Sequence, residues 1–242
     1  MRSRIIGSLI VKDNIVVQSF GFKNYLPVGD VKICCENLNN WEVDEIIITS
    51  IDRSKYNLGP DLELIEKVSK SGVSTPITYG GGVRNLNDAE KVISKGADRV
   101  CVNNLLMTNI SNIKDIALSI GSQSLLASIN IIKEKNNFFW FDYIKKKLLP
   151  IETIPLDLLY YVSEIIITDV NNEGLDDKFD LKIVDITKKM FNKKNIIFFG
   201  GISTKNKTSL IKKKIKNSSY AIGNFFFHKE LANKHFKAWK IN

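Results

Sequence analysis

The chain has 242 residues and a formal charge of +9, from 35 Lys and Arg against 26 Asp and Glu, a length that one α/β barrel fills as a single domain over residues 1–242. Most of the surplus charge lies in Lys145-Lys146-Lys147, Lys188-Lys189, Lys193-Lys194 and Lys212-Lys213-Lys214, without the interleaved aromatics that a nucleic-acid groove needs, so these runs read as solvated faces. Three cysteines, the adjacent Cys34 and Cys35 and a lone Cys101, form neither a disulfide framework nor a zinc spacing, and Lys12-Asp13 breaks the first apolar run; the expectation is a cytoplasmic protein with no signal peptide, membrane span, metal or cofactor.

Short, nearly continuous apolar runs alternate with helical periodicity, the pattern of parallel strands buried on both faces. The first predicted strand is Arg4–Val11 and the second Glu45–Thr49. A helix over Pro60–Ser71 follows, with Leu62, Leu64, Ile65 and Val68 on one side, then the strand Pro76–Tyr79. Asn85–Lys95 repeats the helical spacing through Leu86, Ala89, Val92 and Ile93 and ends at Gly96, a suitable cap. Strands are predicted at Arg99–Val102 and Leu125–Ile131, and the aromatic-rich Lys133–Leu149 reads as a hairpin or lid. Glu164–Thr168, Asn195–Phe199 and Tyr220–Gly223 complete eight strand–helix units, the requirement of a closed (β/α)8 TIM barrel.

An internal repeat supports that reading. Val43-Asp44-Glu45-Ile46-Ile47-Ile48-Thr49 recurs as Val162-Ser163-Glu164-Ile165-Ile166-Ile167-Thr168, and Gly81-Gly82-Val83 recurs as Gly200-Gly201-Ile202, both at an offset of 119 residues. The chain therefore reads as a duplicated half-barrel with pseudo-twofold symmetry. Barrel sites lie at the strand C-terminal ends, where this sequence places Gly81-Gly82, Asn103-Asn104, Gly200-Gly201 and Gly223-Asn224. Glycine lets backbone N–H groups approach a phosphate, so two anion sites on opposite sides of the mouth are expected, suited to a phosphorylated small molecule.

Arg4-Ile5-Ile6, Val11-Lys12-Asp13, Asp44-Glu45, Gly80-Gly81-Gly82-Val83-Arg84, Gly96-Ala97-Asp98-Arg99-Val100 and Val102-Asn103 resemble the cyclase subunit of imidazole-glycerol-phosphate synthase over essentially the whole chain. The resemblance implies a (β/α)8 barrel partnered by a class I glutaminase, with ammonia travelling through the barrel to a bisphosphorylated ribonucleotide. In that pattern strands one and five each end in an aspartate, the general acid and base. Here those positions are Ile10 and Asn130, and a third acidic position is Ser50. Isoleucine has no proton to transfer, and a carboxamide does not cycle between protonation states near neutrality. No catalytic residue is therefore assigned.

What the resemblance retains lies at the opposite end. Arg4, Glu45, Arg99 and Glu164 match the family's ring of two cations and two carboxylates, which guards the ammonia entrance, and Asp98 matches a position facing the glutaminase. The other reading of these residues is a structural salt-bridge layer. Ring retention beside loss of the acid–base pair is similar to the cyclase-like proteins encoded with surface-polysaccharide (lipopolysaccharide) genes, as are Phe20–Tyr25 with Gly29-Asp30, and Gln18 in place of the cyclase lysine. That likeness implies ammonia delivery to a sugar amidotransferase that converts an N-acetyl sugar to an acetamidino sugar.

Two alternatives stand beside it: a cyclase of histidine synthesis whose acid and base have moved to Asp13 or Glu173, and a stand-alone phosphosugar-binding barrel. Asp169 and Glu173 could bind a hydroxylated ligand or hold their loop. Trp41, Trp140 and Trp239 read as packing or interface residues, Cys101 as a small buried apolar residue, and His228 and His235 as parts of the last helix without a metal-ligand spacing.

Overall fold

A computed structural model describes residues 3–191 and 193–228; His235 and Trp239 lie outside them, as does the side chain of His228. The chain opens with β1 (Ile5–Lys12) and turns back at Asp13 and Asn14 into an antiparallel hairpin, β2 (Ile15–Phe20) and β3 (Asn24–Asp30). Asp30 caps α1 (Val31–Asn40) by accepting the Ile33 N–H, leading to β4 (Glu45–Ser50). Next come α2 (Ile51–Lys55), α3 (Leu62–Ser69), β5 (Ile77–Gly80), α4 (Leu86–Ser94) and β6 (Arg99–Val102). Then α5 (Leu105–Thr108) and α6 (Ile110–Ile120) precede β7 (Leu125–Glu134), which folds back on β8 (Asn137–Asp142) and β9 (Lys147–Pro150). The rest is β10 (Glu164–Asp169), α7 (Leu181–Met190), β11 (Asn195–Phe199), α8 (Lys205–Lys214), β12 (Ser218–Ile222) and α9 (Phe225–His228).

Eight of these strands pair in parallel in the order β10-β11-β12-β1-β4-β5-β6-β7, and β7 pairs with β10 to close a (β/α)8 TIM barrel. The hairpins β2–β3 and β8–β9 continue β1 and β7 beyond the barrel wall. The hairpin or lid expected at Lys133–Leu149 is the antiparallel β7–β8–β9 extension, whereas the hairpin β2–β3 stands where no strand was predicted.

The fifth unit departs from the expected strand–helix pattern. Between β9 and β10 there are only short 3-10 turns, Ile151–Thr153 and Leu156–Tyr160. Pro150 and Pro155 each stand immediately before one of these turns, and proline lacks the N–H and the tolerance for a preceding helical residue that a continuous α-helix would need. Ile154 and Leu158 nevertheless bury themselves against the barrel in place of a helix.

Strand periodicity of two divides the apolar residues into two cores. Ile46, Ile48, Val100, Ile165 and Phe198 point outward to the helices. Ile6, Ile47, Cys101, Leu126, Ile166, Ile197 and Ala221 point inward and form one apolar layer across the barrel, with Phe199 packed on it.

The duplication is visible in backbone contacts. Gly81 and Gly200 both adopt positive φ, and a Cβ on them would lie 2.3 Å from the Ser50 carbonyl oxygen and 2.5 Å from that of Asp169, respectively. Ser50 and Asp169 are themselves related by the 119-residue offset.

Candidate functional site

At the C-terminal ends of the strands lies a cavity of about 650 Å³, floored by Ile47, Cys101, Ile166 and Ala221 of the inner layer. Ile10 and Asn130, from β1 and β7, both line it. Asn130 is buried. Lys12, Lys23, Lys55 and Lys146 ring the opening, with Tyr25, Tyr143 and Phe22 from the hairpin side. Among the described residues Asp52 is the one carboxylate in the lining, and it accepts the Asp13 N–H at 3.0 Å. The site can attract an anion, and its facing positions Ile10 and Asn130 carry no carboxylate to serve as general acid or base.

The carboxylates considered as replacements are engaged elsewhere. Asp13 sits in the exposed β1–β2 turn, paired with Lys12 at 2.7 Å. Glu173 is buried behind the first hairpin, where its carboxylate accepts Ser19 Oγ at 3.0 Å and its main-chain carbonyl accepts the Gly21 N–H at 3.0 Å. Asp169 accepts the Asn172 side-chain amide and the Asp180 N–H, both at 2.8 Å. Burial pushes the carboxyls of Glu173 and Asp169 up, against the pull of those hydrogen bonds. Both therefore hold loops in place.

The two glycine turns are not equivalent. Gly81, Gly82, Asn103 and Asn104 border the large cavity, although the Gly82 N–H already donates to Ser54 Oγ and Asn103 Nδ2 to the Ser128 carbonyl. Gly200, Gly201, Gly223 and Asn224 border a second, much smaller pocket of about 20 Å³, room for a water, lined on its other side by Glu173, Gly174, Leu175 and Asp176. Asn224 Nδ2 donates to the Ser19 carbonyl at 2.8 Å. Ser203, which sequence reasoning missed, places a buried hydroxyl without a partner among the described residues at this second turn. Its signal was available: a hydroxyl two residues after Gly-Gly, at the entry to a helix.

At the N-terminal ends of the strands Arg4, Glu45, Arg99 and Glu164 meet in a closed alternating ring. Arg4 donates to Glu45 at 3.0 Å and to Glu164 at 2.5 Å, while Arg99 donates to Glu164 at 2.7 Å and to Glu45 at 3.3 Å. Burial alone would push the Glu164 carboxyl up, but the two guanidiniums outweigh it and hold the carboxyl below its usual range. Both carboxylates are nearly inaccessible, so each charge is compensated where water cannot screen it.

Hydroxyls that sequence reasoning missed complete the ring: Thr78 Oγ1 donates to Glu45, Arg99 donates to Ser163 Oγ at 2.8 Å, and the Arg4 N–H donates to Ser219 Oγ at 3.3 Å. Asp98 is exposed next to Arg99 and accepts the Ile77 N–H at 2.7 Å, which ties β6 to β5.

Residues 4–232 match the family described as histidine biosynthesis protein. The chain belongs to this family. It is similar to imidazole glycerol phosphate synthase subunit HisF of Pyrococcus furiosus, 31% identical over 198 residues that cover 80% of this chain and 76% of the relative. A Vibrio vulnificus protein provisionally named as subunit hisF2 of the same synthase is 33% identical over 187 residues, 76% of this chain and 68% of the relative. A Campylobacter jejuni protein with the same provisional name is 30% identical over 206 residues, 84% of this chain and 81% of the relative. As a histidine biosynthesis family member the chain is an imidazole glycerol phosphate synthase-like subunit. Among the described residues no helix is long and apolar enough to cross a membrane.

Proposed function

We propose that this family member is a single-domain synthase subunit that docks a class I glutaminase on the face bearing Arg4, Glu45, Arg99 and Glu164, with exposed Asp98 as a contact. Ammonia released there passes the ring, crosses the barrel and leaves at the mouth toward a sugar amidotransferase that turns an N-acetyl sugar into an acetamidino sugar. The observation that carries the reading is the coexistence of a complete charged ring with a cavity whose facing upper positions are Ile10 and Asn130. The two guanidiniums and two carboxylates satisfy one another and sum to no net charge, so an ion entering the ring would have to shed its water without a free partner, whereas neutral ammonia carries no charge to desolvate.

Mixing the chain with the glutaminase is expected to stimulate glutamine hydrolysis. Arg99→Ala should then keep hydrolysis but uncouple it from nitrogen transfer, because the ring loses the group that joins Glu45 to Glu164. Coupling that survives unaltered in this variant would sink the gate.

A second reading draws on a different observation, the lysines and the Gly81-Gly82 turn around the large cavity: a phosphorylated ligand is held at that side of the mouth. The two readings are compatible, since an anion bound there need not be transformed. A cyclase with a displaced acid and base finds no support in the positions of Asp13 and Glu173. Product formation at ordinary enzyme rates from the bisphosphorylated ribonucleotide and an ammonium salt would overturn this preference.

A further inference from the structure

The half-barrel repeat breaks at the residue before each glycine turn. The offset of 119 residues that matches Gly81-Gly82 to Gly200-Gly201 also sets Gly80, at the end of β5, against Phe199, at the end of β11. Gly80 borders the large cavity and puts no side chain into it. The Phe199 ring packs on the inner apolar layer, and a Cβ built on Gly223 would lie 3.6 Å from its Cε2 atom, so the ring edge rests against that glycine of the second turn. Among the described residues, Phe199 and its strand partner Ala221 are the two that line both the large cavity and the small pocket, and they form the wall between them.

Charge divides the mouth in the same sense. The large cavity carries Lys12, Lys23, Lys55 and Lys146 against the single carboxylate Asp52. The small pocket is lined by Glu173 and Asp176 and, among the described residues, by no lysine or arginine. An anion is drawn to the first and gains nothing at the second. Size acts with charge: about 20 Å³ is room for a water, whereas a phosphate carries four oxygens around phosphorus. The rest of the large cavity offers Ser8, Thr49, Ser128, Asn130 and Thr168, neutral donors and acceptors that match the hydroxyls of a sugar.

We propose that the mouth accepts a hydroxylated small molecule with a phosphate at one end only, and that Phe199 sets this limit by walling off the second glycine turn. The proposal rests on the reading of a phosphorylated ligand at the Gly81-Gly82 turn and adds its class, a sugar monophosphate in place of a bisphosphate. Phe199 is thereby the specificity-determining residue: where the first half of the barrel has a glycine and an open turn, the second half has a ring and a turn cut off from the cavity.

Inorganic phosphate is the probe, titrated into the 15N-labelled chain and followed by backbone amide shifts at the two turns. In the wild type, saturable shifts are expected at Gly81 and Gly82 and none at Gly200, Gly201 and Ser203. Phe199→Ala combined with Asp176→Asn should add a second saturable set at Gly200, Gly201 and Ser203 while the first set keeps its midpoint. Asp176→Asn alone should not, because the ring remains. The dispersion of the strand amides reports folding, and Phe199→Val takes the place of the alanine variant should that dispersion be lost. Shifts at both turns in the wild type or in Asp176→Asn, or at the first turn alone in the folded double variant, overturn the wall and leave the phosphate reading standing. A wild type without saturable shifts at either turn overturns the phosphate reading itself, and the limit set by Phe199 falls with it.

Discussion

Individual side chains decide what this barrel can do chemically. Ile10 and Asn130 face one cavity but bring a hydrocarbon and a carboxamide to it, and nearby carboxylates are spent on loop backbone. Glu164 shows the opposite economy, a buried carboxylate held ionised by Arg4 and Arg99. Its pKa is depressed on folding, so its contribution to stability is complete above the ordinary carboxylate range and is lost as pH falls through the depressed value. Glu164→Gln should therefore cost roughly 2–3 kcal/mol at neutral pH by urea unfolding, below the range for a fully dry pair because Arg4 keeps 31% of its side chain exposed. The gap between wild type and variant should close in acid. A gap of constant size down to the lowest pH at which the protein folds would contradict the assignment of charge to the ring. Arg4, Glu45, Arg99 and Glu164 were legible in the sequence through the resemblance and, for the two glutamates, through the repeat. Thr78, Ser163 and Ser219 were not, because a hydroxyl in a strand announces no partner until the neighbouring strands are in register.

At the scale of elements, local chemistry set most boundaries. Asp30, Asp61, Asn85 and Thr204 each accept an N–H of the first helical turn, which explains why α1, α3, α4 and α8 start where they do. Lys188-Lys189 and Lys212-Lys213-Lys214 occupy the last turns of α7 and α8, where positive charge complements the helix dipole. The charge runs thus have a structural use that requires no nucleic acid. The first hairpin escaped prediction because its alternation is short and interrupted by Gly21, and its position depends on distant groups: Ser19 and Gly21 are fastened by Glu173, and Ser19 also by Asn224. Glu173→Ala removes the carboxylate that anchors Ser19 and should accordingly speed amide hydrogen exchange through β2 and β3 while the barrel strands keep their protection. Unchanged exchange in the hairpin would mean that β2 pairing with β1, and not the glutamate, holds it.

The whole molecule is governed by the half-barrel repeat. Gly81 and Gly200 meet the backbone of the preceding strand's end in the same way, at positive φ and with no room for a Cβ. Gly81→Ala and Gly200→Ala should each destabilise the protein by about 2 kcal/mol or more, read as a lower urea midpoint. A large loss for one and none for the other would show that the symmetry is only one of sequence. The two turns nevertheless differ in what they border, a cavity of about 650 Å³ at Gly81 and a pocket of about 20 Å³ at Gly200. By itself the amino-acid sequence determined the eight parallel strands, the duplication and the paired glutamates Glu45 and Glu164, because apolar runs, spacing and repeated residues are local or periodic properties of a chain; Arg4 and Arg99 were marked by the resemblance. Only the tertiary structure decided the inequality of the two turns, the placing of β2–β3 and β8–β9 beside the cavity and the missing fifth helix. Those depend on which side chains meet across the barrel after closure, and contact between residues a hundred positions apart leaves no mark on either segment alone.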